Sequence, residues 1–341
     1  NVAIGDKGGT VKALTWNGGN TRKNPLLSRG DVEEKEGDVG SGVLTVLSPA
    51  TSDITNWIRE TENKGGDGRQ GLARWLTDVE KGAGALLARV IVNRLWQHHF
   101  GVGLVKSSED FGVQGDFPSH PDLLDWLAAE LIQLKWDIKA LQRLIVTSAT
   151  YRQSSQPSRA ALQIDPENRL LSHSPRLRLS GEVIRDQALF VSGLLVERIG
   201  GPSVKPYQPA NLWNEIAGPT TSAYAKGYQQ DTGDALYRRS LYTFWRRAIP
   251  PPGLQIFDGP SREVCISRRE RTNTPLQALA LLNDTIFIEA ARGLGTRMIR
   301  DGGENNTARI RHGFQLVTGR HPSPEELTIL LRSLEIHHRT Y

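Results

Sequence analysis

Apolar residues recur at three- and four-residue spacing from Arg69 nearly to the end of the chain. Leu72, Trp75 and Leu76 open the pattern, and Leu86, Leu87, Val90, Ile91, Leu95 and Trp96 continue it. This is the period with which an amphipathic helix buries one face. No apolar run approaches the ~18–20 residues that a membrane span requires. Ser119-His120-Pro121-Asp122 reads as a helix start, because a capping residue is followed by an early Pro and Asp. Behind it Leu123, Leu124, Trp126, Leu127, Leu131 and Leu134 form a broad apolar face, and Asp137 caps another helix carrying Ile138, Leu141, Leu144 and Ile145. Joined at Lys135-Trp136, the two predict a hairpin packed on the helix before.

A polar connector with three prolines, residues 156–175, leads to a second helical unit. There the pattern predicts a long helix over residues 180–199, ended by Gly200-Gly201-Pro202, then a loop-like stretch to residue 234. Residues 240–246 alternate, with Leu241, Thr243 and Trp245 against Tyr242 and Phe244, which predicts a strand before the Pro250-Pro251-Pro252 break. Helices are expected over residues 276–282, 286–299, 307–318 and 324–337. The first sixty-odd residues differ, being rich in turn clusters such as Asp6-Lys7-Gly8-Gly9 and Asn17-Gly18-Gly19-Asn20, with short runs such as Val43-Leu44-Thr45-Val46-Leu47 that suit strands or extended arms. The expected fold class is mainly α. A β/irregular lead-in over residues 1–66, read as the tail of a preceding domain, passes through a linker at Asn63 to Gly68. A multi-helical domain over 67–341 follows, in subunits of about 67–155 and 176–341, with minor strand content near 240–246.

With 38% hydrophobic and 23% charged residues, disordered, collagen-like and coiled-coil classes are excluded. Cys265 is the sole cysteine, so an intrachain disulfide, a multi-cysteine metal site and the haem-attachment string Cys-x-x-Cys-His are all excluded. The chain opens with Asn1 and holds a single methionine, Met298, so a longer precursor or a removed signal is expected. The first ten residues carry no targeting pattern.

The formal charge is +5, and arginine outnumbers lysine 31 to 11, which favours planar, bidentate pairing. Residues 238–271 hold eight arginines against Asp258, Glu263 and Glu270, a local surplus of five that equals the charge of the whole chain. Arg238, Arg239, Arg246, Arg247, Arg262, Arg268, Arg269 and Arg271 are therefore candidates for an anion site, with the alternative that acids elsewhere in the fold neutralise them. Tyr237, Tyr242, Phe244, Trp245 and Phe257 are interleaved among them and suit a sugar ring or a stacked base. Cys265 sits in the same segment, where positive charge favours a thiolate, but no histidine falls between His173 and His312 to serve as its base in sequence. An inert cysteine is the simpler reading. Glu182 and Asp186 lie four apart on one helical face and suit an acid/base pair, or else an ion network with Arg178 and Arg185. His98 and His99, with Asp110 or His120, are weak candidates for a mixed metal site, since neighbouring residues on a helix point about 100° apart. The plainer reading places both imidazoles at a helix C-terminus, where they suit the macrodipole. No Gly-rich phosphate fingerprint occurs, so nucleotide hydrolysis has no support.

Asn93-Arg94-Leu95-Trp96-Gln97-His98-His99-Phe100-Gly101, Asp110-Phe111-Gly112 and His120-Pro121-Asp122-Leu123-Leu124-Asp125-Trp126-Leu127 resemble a planctomycete family, domain of unknown function 1553. The resemblance extends through Leu144-Ile145-Val146-Thr147-Ser148-Ala149-Thr150-Tyr151-Arg152-Gln153-Ser154, Pro260-Ser261-Arg262 and the run from Arg271 to Asn283, covering roughly residues 69–330. It implies the C-terminal part of a large exported, periplasmic or cell-surface protein, with an upstream cytochrome c module that would carry any haem. It also implies a further helix beyond residue 341, but no catalytic residue set. The functional expectation is a non-catalytic binding or scaffold module of an exported, redox-linked protein, its arginine–aromatic region taking an anionic glycan or a partner domain. A hydrolase or lyase acting on acidic polysaccharide through Glu182, Asp186, His98 or His120 is the first alternative. Nucleic-acid binding through the basic segment is the second.

Overall fold

The computed structural model describes residues 3–6, 9–12, 24–39, 41–48, 56–63, 68–209, 212, 228–247 and 249–340. Helix dominates them. Four short strands form two antiparallel hairpins near the N-terminus: β1 (Ala3–Asp6) with β2 (Gly9–Lys12), Ala3 opposite Lys12, and β3 (Asn24–Leu27) with β4 (Lys35–Val39), Asn24 opposite Val39. The chain divides into two compact units, residues 1–176 and 177–341. Most of the linker expected at Asn63 to Gly68, residues 64–67, lies outside the described residues. No helix among them is long and apolar enough to cross a membrane.

In the first unit, α1 (Asn56–Asn63) packs on α2 (Gly68–Thr77), so helix begins earlier than the apolar period indicates. A Cβ on Gly71 would overlap the Trp57 carbonyl, which is how close the two helices come. Trp75 on α2 is buried with Val43 and Ala83 and donates its indole N–H to the Ser48 hydroxyl at 3.1 Å. The main core lies between α3 (Gly84–Phe100), α4 (Pro121–Gln133) and α5 (Ile138–Thr147). Ala88, Val92, Trp96 and Phe100 face Leu124, Leu127, Leu131, Leu141 and Ile145 in one apolar cluster. The α4–α5 hairpin is as the sequence predicts. Lys135 and Trp136 adopt positive φ in its tight turn, and the Asp137 carboxylate accepts the Lys139 and Ala140 N–H groups. Short helices α6 (Ala149–Arg152) and α7 (Arg159–Ile164) follow.

The second unit is built on α8 (Gly181–Ser192), α9 (Pro252–Ile256), α10 (Pro275–Asn283), α11 (Thr285–Asp301), α12 (Asn306–Thr318) and α13 (Pro324–Thr340). Helix α8 packs against α11 and more lightly against α9 and α12. Two expectations are corrected here. The helix predicted over 180–199 stops at Ser192, because Gly193 takes the left-handed conformation (φ 77°) and its N–H returns to the carbonyls of Leu189 and Phe190. Its last carbonyls also receive the Arg297 guanidinium, 3.1 Å from Val191 O. The strand predicted over 240–246 is instead a 3₁₀ turn at Ser240–Tyr242, flanked by isolated bridges from Arg238 to Val196, Thr243 to Val204 and Arg246 to Ile249. Alternation there reflects side chains of a connecting segment that touches several neighbours, none of which runs alongside long enough to form a ladder.

Candidate functional site

Seven of the eight arginines of the basic segment separate into two groups, and Arg262 stands apart on the Trp245 ring. Arg238 is 1% exposed, its guanidinium donating to the carbonyls of Arg198 (2.7 Å), Gly200 (2.6 Å) and Pro202 (3.4 Å) while lying 3.8 Å over the Tyr242 ring. Its place in an anion site is thus corrected: the guanidinium is turned into the fold, between backbone carbonyls and the Tyr242 ring. Arg239 lies 3.6 Å from Asp186, and Arg269 donates to both Glu182 oxygens at 2.9 Å. Arg246 also has an interaction within the fold. By contrast, Arg247, Arg268 and Arg271 are exposed, with no hydrogen-bond or ion-pair partner among the described residues.

Arg268, Arg269 and Arg271 sit on a long surface loop whose ends are pinned together. The Asp258 carboxylate accepts the Thr272 N–H at 2.7 Å and its hydroxyl at 2.8 Å, and Gln277, wholly buried, donates to Ile256 O and to the Thr272 hydroxyl, each at 3.0 Å. Thr274 and Gln277 close a capping box at the start of α10. Arg269 on Glu182 and Arg178 on Asn273 (3.1 Å) tie the loop to the start of α8. Between these fastenings Arg262 takes a positive φ of 64° and stacks 4.1 Å from the Trp245 ring, whose indole nitrogen is buried without a partner. The loop is therefore a fastened platform with outward guanidinium groups, and Cys265 is exposed on it.

The acid/base candidates meet a different fate. Burial works to raise the Glu182 pKa, but hydrogen bonds from its own backbone N–H and from Arg269 bring it below the usual carboxylate range. Asp186 accepts the Ser240 N–H at 2.7 Å and stands 3.8 Å from Arg185. Both carboxylates are thus engaged by cations and backbone N–H groups inside an ion network, which leaves neither free to face a reacting group. His98, His99, Asp110 and His120 belong to the first unit. His98 is exposed, and His99 meets Tyr151 edge-on at 5.6 Å with its pKa lowered by burial and then by the His98 charge. His120 shares a 3.0 Å contact with the Ser119 hydroxyl, and Asp110 accepts the Gly112 N–H at 2.7 Å. Among the described residues no group of three or more His, Cys, Asp or Glu side chains is placed to hold a metal.

The same histidine-bearing motif holds structural polar groups whose roles its pattern conceals. Asn93, fully buried, exchanges both amide bonds with the Val105 backbone (2.8 and 3.0 Å), and Gln97 accepts from the Ser108 hydroxyl. These residues staple the loop after α3, where Gly103 lies so close to Asn93 that a Cβ would sit 2.6 Å from its amide. The sequence model of PSD1, a protein of unknown function (DUF1553), matches residues 68–334. The chain belongs to the DUF1553 family. No curated protein and no solved structure matches it. Within this DUF1553 chain, the run Asn93 to Gly101 is a packing and loop-fastening element, and the run Arg271 to Asn283 is the base of the arginine loop.

Sequence reasoning passed over one further feature. The second unit encloses a cavity of about 580 Å³ between the start of α8, α9, the start of α11 and residues 206–209. None of Glu182, Asp186, His98 and His120 lines it, whereas Arg185 does. Its walls come from six separate segments, Gln230 and Thr243 among them, so no local pattern announces it.

Proposed function

We propose that this DUF1553 chain is a non-catalytic binding module whose loop over residues 259–271 docks an anionic ligand, an acidic or sulfated glycan or the acidic face of a partner domain. The observation that carries the reading is the division among the arginines. Arg238, Arg239 and Arg269 are engaged by the fold, while Arg268 and Arg271 stand exposed without an acid, beside an Arg262–Trp245 stack. Guanidinium forks facing solvent from a fastened loop recognise planar or tetrahedral anions with little loss of freedom on binding. The engagement of Glu182 and Asp186 with cations and backbone supports binding over hydrolysis or elimination. Placement in an exported, redox-linked multidomain protein, with any haem on an upstream segment, rests on the family resemblance.

Retention of the chain on a heparin column tests the reading. Replacing Arg262, Arg268 and Arg271 together with alanine lowers the salt needed for elution, and Glu263→Gln with Glu270→Gln raises it. Elution unchanged by the triple replacement would remove the proposal. Duplex DNA displacing heparin at equal charge concentration would instead favour the nucleic-acid reading.

A further inference from the structure

We propose that the outward face of α10, next to the arginine loop, docks the loop over residues 109–117 of a second copy of this chain, so that copies associate head to tail. The inference rests on the reading of the arginine loop as an anion-docking surface and names its partner. Helix α10 is amphipathic the wrong way round. Its sequence from Pro275 to Asn283 is almost wholly apolar, yet its one buried side chain is Gln277, which donates to Ile256 O and to the Thr272 hydroxyl. Leu276, Leu279 and Leu282, spaced by three and thus on one face, are 55%, 56% and 73% exposed. Val264 and Ile266, on the loop that leads into the helix, are exposed as well. A single exposed leucine is ordinary, but three on one face of a short helix mark an interaction surface.

What covers that face must be apolar and acidic at once, because Arg268 and Arg271 stand exposed on the loop that runs into α10. A sulfated glycan offers the charge but little apolar surface, so the leucines favour a protein. Pairing α10 with itself fails on charge. The helix has nine residues, a length of ~13 Å, so two arginine loops would gather there with no acid for either.

The first unit carries a surface of the required kind. Residues 107–134 hold six acids and no lysine or arginine. At the head of that stretch Phe117 is 92% exposed and Val113 wholly so, with Glu109 and Asp116 exposed on the same loop. The loop is held ready by hydrogen bonds from the Asp116 N–H to the Ser107 hydroxyl (2.8 Å) and from the Ser119 N–H to Leu104 O (2.8 Å), so little freedom is lost on docking. Its apolar tips meet the leucines and its carboxylates meet the guanidinium groups. Each copy offers both surfaces, which makes the contact heterologous.

The test is sedimentation velocity on the full chain from micromolar to sub-millimolar concentration. The average mass is expected to rise with concentration. Raising salt from about 50 to about 500 mM is expected to weaken association about tenfold. Leu279→Ser with Leu282→Ser, and Phe117→Ser on its own, should each leave a monomer that melts close to the unaltered chain, since all three side chains are exposed. Mixed in equal amounts, those two monomers should form dimers and stop there, because one supplies an intact loop and the other an intact α10. An unaltered chain that stays monomeric, an α10 variant that associates as before, or a mixture that remains monomeric overturns the assignment. Heparin retention of the same samples reads the arginines alone, and the two leucine replacements should leave it unchanged. Retention without association removes the second copy as partner and keeps the anion-docking loop, whereas loss of both removes the loop reading itself.

Discussion

The two units of this chain solve the same problem by different means. In the first, Val92, Trp96, Leu124, Leu131 and Leu141 meet in one apolar cluster, and two side-chain amides, Asn93 and Gln97, fasten the adjoining loop. In the second, the long connections between α8 and α10 carry backbone carbonyls away from any helix or ladder, and guanidinium groups reach them. Arg185 serves the carbonyls of Leu236 and Arg238, and Arg238 those of Arg198, Gly200 and Pro202. Buried carbonyls need donors, and arginine brings five on one rigid plane. An arginine-rich composition therefore measures irregular buried backbone as much as it measures affinity for anions.

Arg238→Met would break that contrast most directly. It removes the guanidinium from the half-buried carbonyls of Arg198 and Gly200 and from the fully covered space beside Tyr242, so a loss of about 1–3 kcal/mol is expected, confined to the second unit. Hydrogen exchange read segment by segment checks it: residues 193–209 and 228–243 should lose protection while α3–α5 keep theirs. Leu131→Ala is the counterpart in the first unit. Leu131 is fully buried, and its truncation should cost about 3 kcal/mol through lost burial and a cavity, with protection falling in α3–α5 alone.

A smaller effect concerns pH. His99 has a pKa held below its ordinary value of 6.5 by burial and by His98, so the unfolded chain takes up its proton first as pH falls. Stability of the first unit should therefore be unaffected above about pH 6.5 and decline below it, through the interval down to the folded-state pKa. Thermal melts from pH 8 to 5 check the sign, and His99→Phe should flatten the acid side of the curve.

Much of the first unit is legible in its pattern. The α4–α5 hairpin, with Asp137 as its cap, follows from leucine spacing, because helices packed over short loops are governed by local periodicity. The second unit is legible only in part. Past Ser180 the sequence holds two glycine stops, Gly193 and Gly200, and the nearer one ends the helix, since the chain beyond it must leave α8 to bring Val196 beside Arg238. Residues 240–246 alternate like a strand, yet their neighbours are single residues of distant segments, so only bridges form.

Sequence by itself determined the mainly helical class, most helix spans, the surplus of arginine between residues 238 and 271 and membership of DUF1553. Tertiary structure alone decided which of those arginines face inward. A guanidinium's fate is set by whichever carbonyls or carboxylates arrive beside it, and here they come from 36 to 87 residues away, beyond the reach of any local pattern. The cavity beside Arg185 was likewise decided there, because its walls are assembled from segments that adjoin only after folding.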